Sequence, residues 1–371
     1  MKTKLDKYFR ISQRGSTIGT ELIGGATTFA TMAYILAYMT GAMSAVPGID
    51  LTGVLLCTAL ITAISCIAMG LVANAPIALA PVLVIPNLVA GMVASGEATY
   101  GQAFGTVAIS GIVFLLISVF KLRDLFARSL PKNIKIGIGG AVGLLIASIG
   151  LNTSGLAAAG EDGSFINFSD KSVQLGLIGL AIALLLTYLK ITVNGRTYKI
   201  KGALLISIVL TTIIGIPMGV TVLPENIFTR GALASIGNVA FQVDILGALK
   251  LSFVPFIIML LINDFFGTLG TGLAMAGKAG LLDEDGNFPA FGKVFLVDSS
   301  ATILGSLFGI TTVSCFAESA AGVESGSRTG LSNLSTAFFF LLCMLFSPLF
   351  LMIPGAATGS ALIVVGISML E

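Results

Sequence analysis

Apolar runs long enough to cross a bilayer recur along nearly the whole chain, and that recurrence restricts the available folds more than any other feature. About 20 apolar residues span the hydrocarbon core as a helix. About twelve runs qualify, in approximate limits residues 22–46, 51–73, 82–94, 102–120, 134–151, 173–189, 202–220, 247–275, 292–309, 312–326, 330–347 and 349–369. The third and tenth are short. Because 56% of the 371 residues are hydrophobic and 10% charged, the chain lacks the polar residues to cover a water-soluble globule. Its 45 glycines follow no collagen-like period and fit helices packed closely through small residues. The expected fold is therefore all-α and polytopic, in a lipid bilayer.

Composition also excludes functions. A net charge of +2 gives no footprint for nucleic acid. Cys57, Cys66, Cys315 and Cys343 lie in apolar stretches without C-x-x-C spacing and read as packing residues, not disulfides or metal ligands. The absence of histidine removes the commonest metal ligand and proton shuttle, so no metal or other cofactor is expected and proton coupling falls to carboxylates. Residues 1–16 are basic and polar, and the apolar stretch from Leu22 is too long for a signal-peptide core, so the first span should stay attached.

With a cytoplasmic N-terminus, the loops on that side hold Lys2, Lys4, Lys7, Arg10, Arg14, Lys121, Arg123, Arg128, Lys132, Lys135, Lys190, Arg196, Lys199, Lys201, Lys278, Lys293 and Arg328. Only Lys171, Arg230 and Lys250 fall on the other side, an asymmetry that follows the positive-inside rule and supports the span count. The longer segments 152–172, with Glu161, Asp162 and Asp170, and 221–244 then lie outside. In the second, the alternation of Val239, Phe241, Val243 and Ile245 fits a short strand or interfacial segment as well as a loop with buried anchors.

The stretch 66–81, C-I-A-M-G-L-V-A-N-A-P-I-A-L-A-P, and the stretch 303–318, I-L-G-S-L-F-G-I-T-T-V-S-C-F-A-E, share a layout: a glycine-bearing helix end, an extended apolar piece, then a short helix. They meet the third and tenth spans, seven apart, and an odd offset inverts one half against the other, as in transporters whose interrupted helices meet near the midplane. Pro76 and Pro81 do not both fit one regular helix, and extended backbone in lipid must be paired. The expected solution is short strands that pair and half-helices that offer free backbone groups to a ligand.

Asp264 lies far from either end of an apolar run, and Glu318 lies in the interrupted tenth span. An acid at such depth costs about 2.5–3.5 kcal/mol on insertion scales, so it usually faces a cavity or a partner. No lysine or arginine lies inside either run, which makes both acids candidates for proton uptake and release. A carboxyl also reads a planar solute bearing donors and acceptors along one edge. Thr311, Thr312, Ser314 and Ser319 could add weaker contacts, although hydroxyls in membrane helices more often bond their own backbone.

Three stretches carry a family resemblance: Gly25 to Ile35, G-A-T-T-F-A-T-M-A-Y-I; Ala279 to Gly286, A-G-L-L-D-E-D-G; and Glu318 to Gly322 with Arg328 to Leu331, E-S-A-A-G and R-T-G-L. On these the chain resembles the purine branch (guanine, hypoxanthine and adenine permeases) of the xanthine/uracil permease family, over nearly its whole length. The resemblance implies two inverted repeats of seven spans, with short antiparallel strands in spans 3 and 10. About twelve of the fourteen spans are present, Glu371 falling where the pattern continues with a further pair. It implies a core domain of residues 17–122 and 246–347, and a gate domain of residues 131–222 and 348–371.

It implies a purine:proton symporter, not an enzyme, in the inner membrane, moving core against gate in elevator fashion. Asp264 falls on the eighth-span carboxylate and Glu318 on the substrate-binding glutamate, the two expected to bind substrate and couple protons. Thr268 falls where the uracil branch carries histidine. Phe316 and Ala317 fall where stacking and backbone bonds to the base are expected, with Phe29 and the Leu79–Ala80 backbone completing the pocket. Where the purine branch reads A-P-G-M-G-L-N-A, this chain has A-P-V-L-V-I-P-N over 80–87, and Gly267 stands where a second aspartate is common. Separate gate domains often pair, which leaves a homodimer through them as the open option for assembly.

Three other readings remain. An anion carrier of the same fold is disfavoured by two acids without a base near the site. A two-carboxylate protease is disfavoured by the absence of a G-x-G-D motif. A shortened, non-transporting binding protein would bind solute without moving it.

Overall fold

The computed structural model describes residues 4–120, 143–144, 146–156, 166–193, 196–200, 202–284 and 288–368. Among them, six helical segments are long and apolar enough to cross a membrane: Ile18–Met43, Leu51–Ala73, Tyr100–Val119, Lys171–Tyr188, Leu251–Lys278 and Leu331–Leu351. Their starts are set by polar caps. Thr17 Oγ1 accepts the Thr20 N–H at 3.2 Å to open α2 (Ile18–Met32), and Asp50 does the same for Gly53 at 3.0 Å ahead of α4 (Leu51–Ala68). Thr99 and Gln102 form a reciprocal capping box for α6 (Tyr100–Val119). After Ala33 the first span continues as α3 (Tyr34–Met43). Most of the expected fifth span, including Lys135, lies outside the described residues, as do Lys121 to Lys132 before it and Lys2, Glu161, Asp162, Lys201 and Glu371.

The second and third runs are joined by a break that every neighbouring backbone helps to satisfy. A π-helical turn (Met69–Ala73) ends α4, and Asn74 turns the chain in the left-handed region at φ 47°. Its side chain is fixed at both ends, Nδ2 donating to Phe9 O at 2.9 Å and Oδ1 accepting the Gly330 N–H at 2.9 Å. Strand β1 (Leu79–Pro81) follows, then α5 (Ile85–Ala94), with Pro86 in its first turn, where its missing N–H removes no helical bond.

After α6, the chain forms α7 (Lys171–Tyr188), the hairpin β2 (Lys190–Val193) and β3 (Arg196–Lys199), α8 (Ala203–Met218), and the short helices α9 (Ala232–Gly237) and α10 (Ile245–Ala248). Then come α11 (Val254–Lys278), α12 (Phe291–Leu307), β4 (Val313–Cys315), α13 (Ser319–Glu324), α14 (Leu331–Cys343), α15 (Ser347–Leu351) and α16 (Gly355–Ser368). Strand β4 pairs antiparallel with β1, Leu79 opposite Cys315, Ala80 opposite Ser314 and Pro81 opposite Val313. Val82 N–H to Thr312 O at 2.8 Å and Phe316 N–H to Ala78 O at 2.9 Å extend the ladder, and Ser319 Oγ takes the Ala78 N–H at 2.9 Å. Extended backbone thus sits inside protein with its groups paired, as lipid requires.

Helices α2 and α4 both pack on α14, α6 lies against α11 and α12, and α7, α8 and α16 pack mainly on one another. Close approach depends on glycine. A Cβ at Gly330 would lie 2.2 Å from Gly70 O and 2.6 Å from Gly70 Cα. Gly330→Ala should therefore destabilise the protein by about 3 kcal/mol, since rigid backbone has to move. Gly270→Ala, with nothing within 4 Å of its Cβ, should be neutral or stabilising. Thermal melts of the two purified variants check the contrast.

One loop resolves an alternative the sequence left open, and another differs from the sequence reading. The alternation at Val239 to Ile245 is not a strand: Phe241 has φ 60° and its ring meets Phe308 at 5.0 Å, while Asp244 N–H bonds Gly101 O at 2.9 Å. Its backbone groups find partners one by one on neighbouring helices, so no ladder forms. The basic stretch after α7, read only as a loop, contains the β2–β3 hairpin.

Candidate functional site

Helix α3 carries two tyrosines one turn apart, which places both hydroxyls on one face. Tyr34 OH donates to Glu318 Oε1 at 2.5 Å, at the start of α13. Tyr38 OH donates to Leu83 O, just ahead of α5, and accepts from Asn87 Nδ2 at 2.5 Å. One helix face therefore holds the openings of both interrupted spans. Thr31 on α2 adds a bond from Oγ1 to Glu318 O at 3.2 Å. Tyr34 and Tyr38 are buried, but Glu318 is half-buried and Ala317 beside it is exposed, so this acid keeps access to open space.

A second set of polar groups lies wholly inside. Asp264 and Thr268 on α11, Asp298 and Thr302 on α12, and Ser314 in β4 are buried together. Thr302 Oγ1 lies 3.0 Å from Asp264 Oδ2 and 2.9 Å from Val313 O, and it takes the Val313 N–H at 3.1 Å. Thr268 donates to Asp298 Oδ2, and its oxygen lies 2.7 Å from Ser314 Oγ, so Ser314 supplies the proton of that second bond. One oxygen of each aspartate, Asp264 Oδ1 and Asp298 Oδ1, has no hydrogen-bond partner. Two buried acids, each bonded by a threonine hydroxyl and with no base among them, form a place where a proton can reside.

The residues picked from sequence are distributed unevenly. Asp264 and Thr268 join the buried set, and Glu318 stands four residues beyond Ser314. Phe316 is buried with its N–H committed to Ala78 O. Leu79 and Ala80 are fully buried in β1, with Leu79 O also accepting from Cys66 Sγ at 3.4 Å. The Phe29 ring stacks on Phe339 at 5.3 Å and meets Phe340 edge-on at 5.1 Å, which commits it to the α2–α14 seam. Gly267 is half-buried with Ser314 Oγ 3.5 Å from its Cβ position, so the lost side chain leaves room beside the buried set.

Sequence reasoning missed Tyr34 and Asp298. Asp298 carries the same signal as Asp264, an acid well inside an apolar run, and Tyr34 carries a hydroxyl that must find a partner when buried. Among the described residues, no group of three or more His, Cys, Asp or Glu is arranged to hold a metal.

Apolar spans wrapped around two interrupted ones, with acids at the interruption, define a multi-pass membrane protein. The sequence model of the permease family (Xan_ur_permease) matches residues 19–370. The adenine permease AdeP of Escherichia coli K12 is 33% identical over 371 residues, covering 98% of this chain and 80% of AdeP. The guanine/hypoxanthine permease GhxP of Escherichia coli O157:H7 is 33% identical over 374 residues, covering 99% and 81%. The chain belongs to the permease family. Its fold is that of the transmembrane domain of the cyanobacterial bicarbonate transporter BicA, with a TM-score of 0.70 over 95% of this chain and 89% of that one at 17% identity.

Proposed function

We propose that this permease imports purine nucleobases (guanine, hypoxanthine or adenine) by proton symport across the inner membrane, with its N-terminus in the cytoplasm. The observation that carries the reading is the half-buried Glu318, held by Tyr34 at the opening of α13. A carboxyl there accepts from a purine N–H when ionised and donates to a ring nitrogen when protonated. The relatives named for adenine and for guanine and hypoxanthine favour the same substrate class. Asp264 and Asp298, buried behind β4, are the proposed proton store, Asp264 held by the Thr302 hydroxyl and Asp298 by the Thr268 hydroxyl, which also meets Ser314.

In this reading, residues 17–122 and 246–347 form the moving core, and 131–222 with 348–371 form the gate. That α7, α8 and α16 pack mainly on one another, with smaller contacts from α8 to α2, supports that division. A bilayer, a purine and protons are then the partners, and a homodimer through the gate is compatible with it.

Proteoliposomes should accumulate labelled guanine, hypoxanthine or adenine under an inward proton gradient, and a protonophore should abolish accumulation. Uptake indifferent to the protonophore removes the coupling, and sulfate or bicarbonate flux without purine flux replaces the substrate. Tyr34→Phe should weaken nucleobase binding by about tenfold, the order of one hydrogen bond to a charged group, with little loss of fold. Equilibrium binding of the labelled base to the purified variant checks this.

A further inference from the structure

At the end of the molecule that carries the N-terminus, a cavity of about 580 Å³ lies between three segments: residues 8–14, the π-helical turn that ends α4, and the loop entering α12. Arg10, Arg14 and Lys293 line it with Tyr8, Asn74 and Phe288, and no carboxylate is among its lining residues. The acids nearby in the chain lie outside that lining. Asp6 accepts from Ser12 N and Ser12 Oγ at 2.8 and 2.9 Å, and Glu21 accepts from the N–H groups of Arg328 and Thr329 at 2.8 and 3.3 Å. Glu324 pairs with Lys278 at 3.5 Å, and Asp283 and Glu284 are exposed on the loop outside the lining.

Backbone geometry singles out the same place. Among the described residues, only Arg10, Asn74 and Phe241 are non-glycine residues at positive φ, and two of the three line this cavity. Asn74 is a common occupant of such a helix end. Arg10, at φ 57°, closes the first helix, α1 (Lys4–Phe9), with its N–H on Asp6 O at 2.9 Å, a role glycine fills without the steric penalty of about 1–2 kcal/mol. Arginine there places a cation at the cavity in spite of that strain. Arg14 is anchored beside it, one nitrogen donating to Asn74 O at 2.6 Å and Arg328 O at 2.9 Å. Burial first, and then the charge of Arg10, lower the pKa of the Arg14 guanidinium, opposed by Glu21. The two guanidinium groups therefore repel each other at a cavity whose lining holds no carboxylate.

We propose that this cavity binds a phosphate ester, with Arg10, Arg14 and Lys293 converging on one phosphate group. Guanidinium forks match phosphate oxygens in pairs, and lysine adds a mobile point charge. The volume lies in the range of sites for small organic ligands and exceeds the needs of inorganic phosphate alone. A lipid headgroup and a soluble nucleoside monophosphate share this chemistry. Occupancy would tie the N-terminal helix and the α11–α12 loop to the turn from which both interrupted spans are braced, through Asn74 to Gly330.

The test uses the full chain in neutral detergent. Its melting temperature is followed against guanosine monophosphate, against dispersed phosphatidylglycerol, and against sodium chloride at matched ionic strength. At least one phosphate ester should raise the melting temperature beyond chloride, and Arg10→Gln with Lys293→Gln should shift the half-saturating concentration upward by roughly tenfold or more. A response to phosphatidylglycerol alone assigns the lipid headgroup, and a response to the nucleotide alone assigns the soluble ester. No rise beyond chloride, or an equal rise in the double variant, overturns the proposal. Lys293→Gln alone, at an exposed position, decides the matter if the double variant does not fold. Nucleobase transport is not the readout, so the result is independent of the substrate assigned to Glu318.

Discussion

Replacing Glu318 with glutamine will abolish detectable nucleobase binding while the protein still folds. Glutamine keeps the size of the side chain and an oxygen for the Tyr34 hydroxyl, so the opening of α13 stays braced. What disappears is a carboxylate oxygen and the ability to carry a proton. Removing the charged partner from a desolvated hydrogen-bonded contact costs about 2–5 kcal/mol, thirtyfold or more in affinity. Thermal-shift titration against adenine, guanine and hypoxanthine measures it, because a base that binds only the folded state raises the melting temperature. Affinity within threefold of the parent would move the substrate site away from the α13 opening.

Asp298→Asn should leave exchange intact and remove accumulation. The side chain is fully buried and receives the Thr268 hydroxyl, and asparagine retains an acceptor for that bond. Its amide cannot take up or release a proton, so labelled base should equilibrate across the vesicle membrane without concentrating against a gradient. The expected loss is the whole gradient-driven component, with counterflow exchange reduced by no more than a few-fold. Accumulation at parental levels in Asp298→Asn, and equally in Asp264→Asn, would exclude the buried acids as the proton store.

The span pattern was legible because a bilayer leaves the chain few options: apolar runs of fixed length must be helical, and their polar flanks mark the ends. Pro76 and Pro81 likewise exposed the interruption. Asp264 and Glu318 stood out as acids in apolar runs, and the structure puts one with Asp298, Thr268, Thr302 and Ser314 and the other on Tyr34. Tyr34 was invisible as a functional group because a tyrosine in an apolar run reads as packing, and its partner is 284 residues away. Asn87, noted only as a departure from the family pattern, acquires a role in bonding Tyr38. The alternation at Val239 to Ile245 left strand and loop open because period-two patterning describes which side chains are buried, not which backbone groups are paired.

Strands β1 and β4 come from residues 79–81 and 313–315. Until the ribosome has delivered the second of them, the first has no complementary edge, and a nascent chain must hold an unmatched extended segment through most of its insertion. The permease thus matures late in biogenesis: its early helices can enter the bilayer in order, but the centre closes only after the distant half arrives. Mutations that weaken β4 should therefore show first as turnover of newly made protein by membrane quality control, before any deficit in the mature carrier.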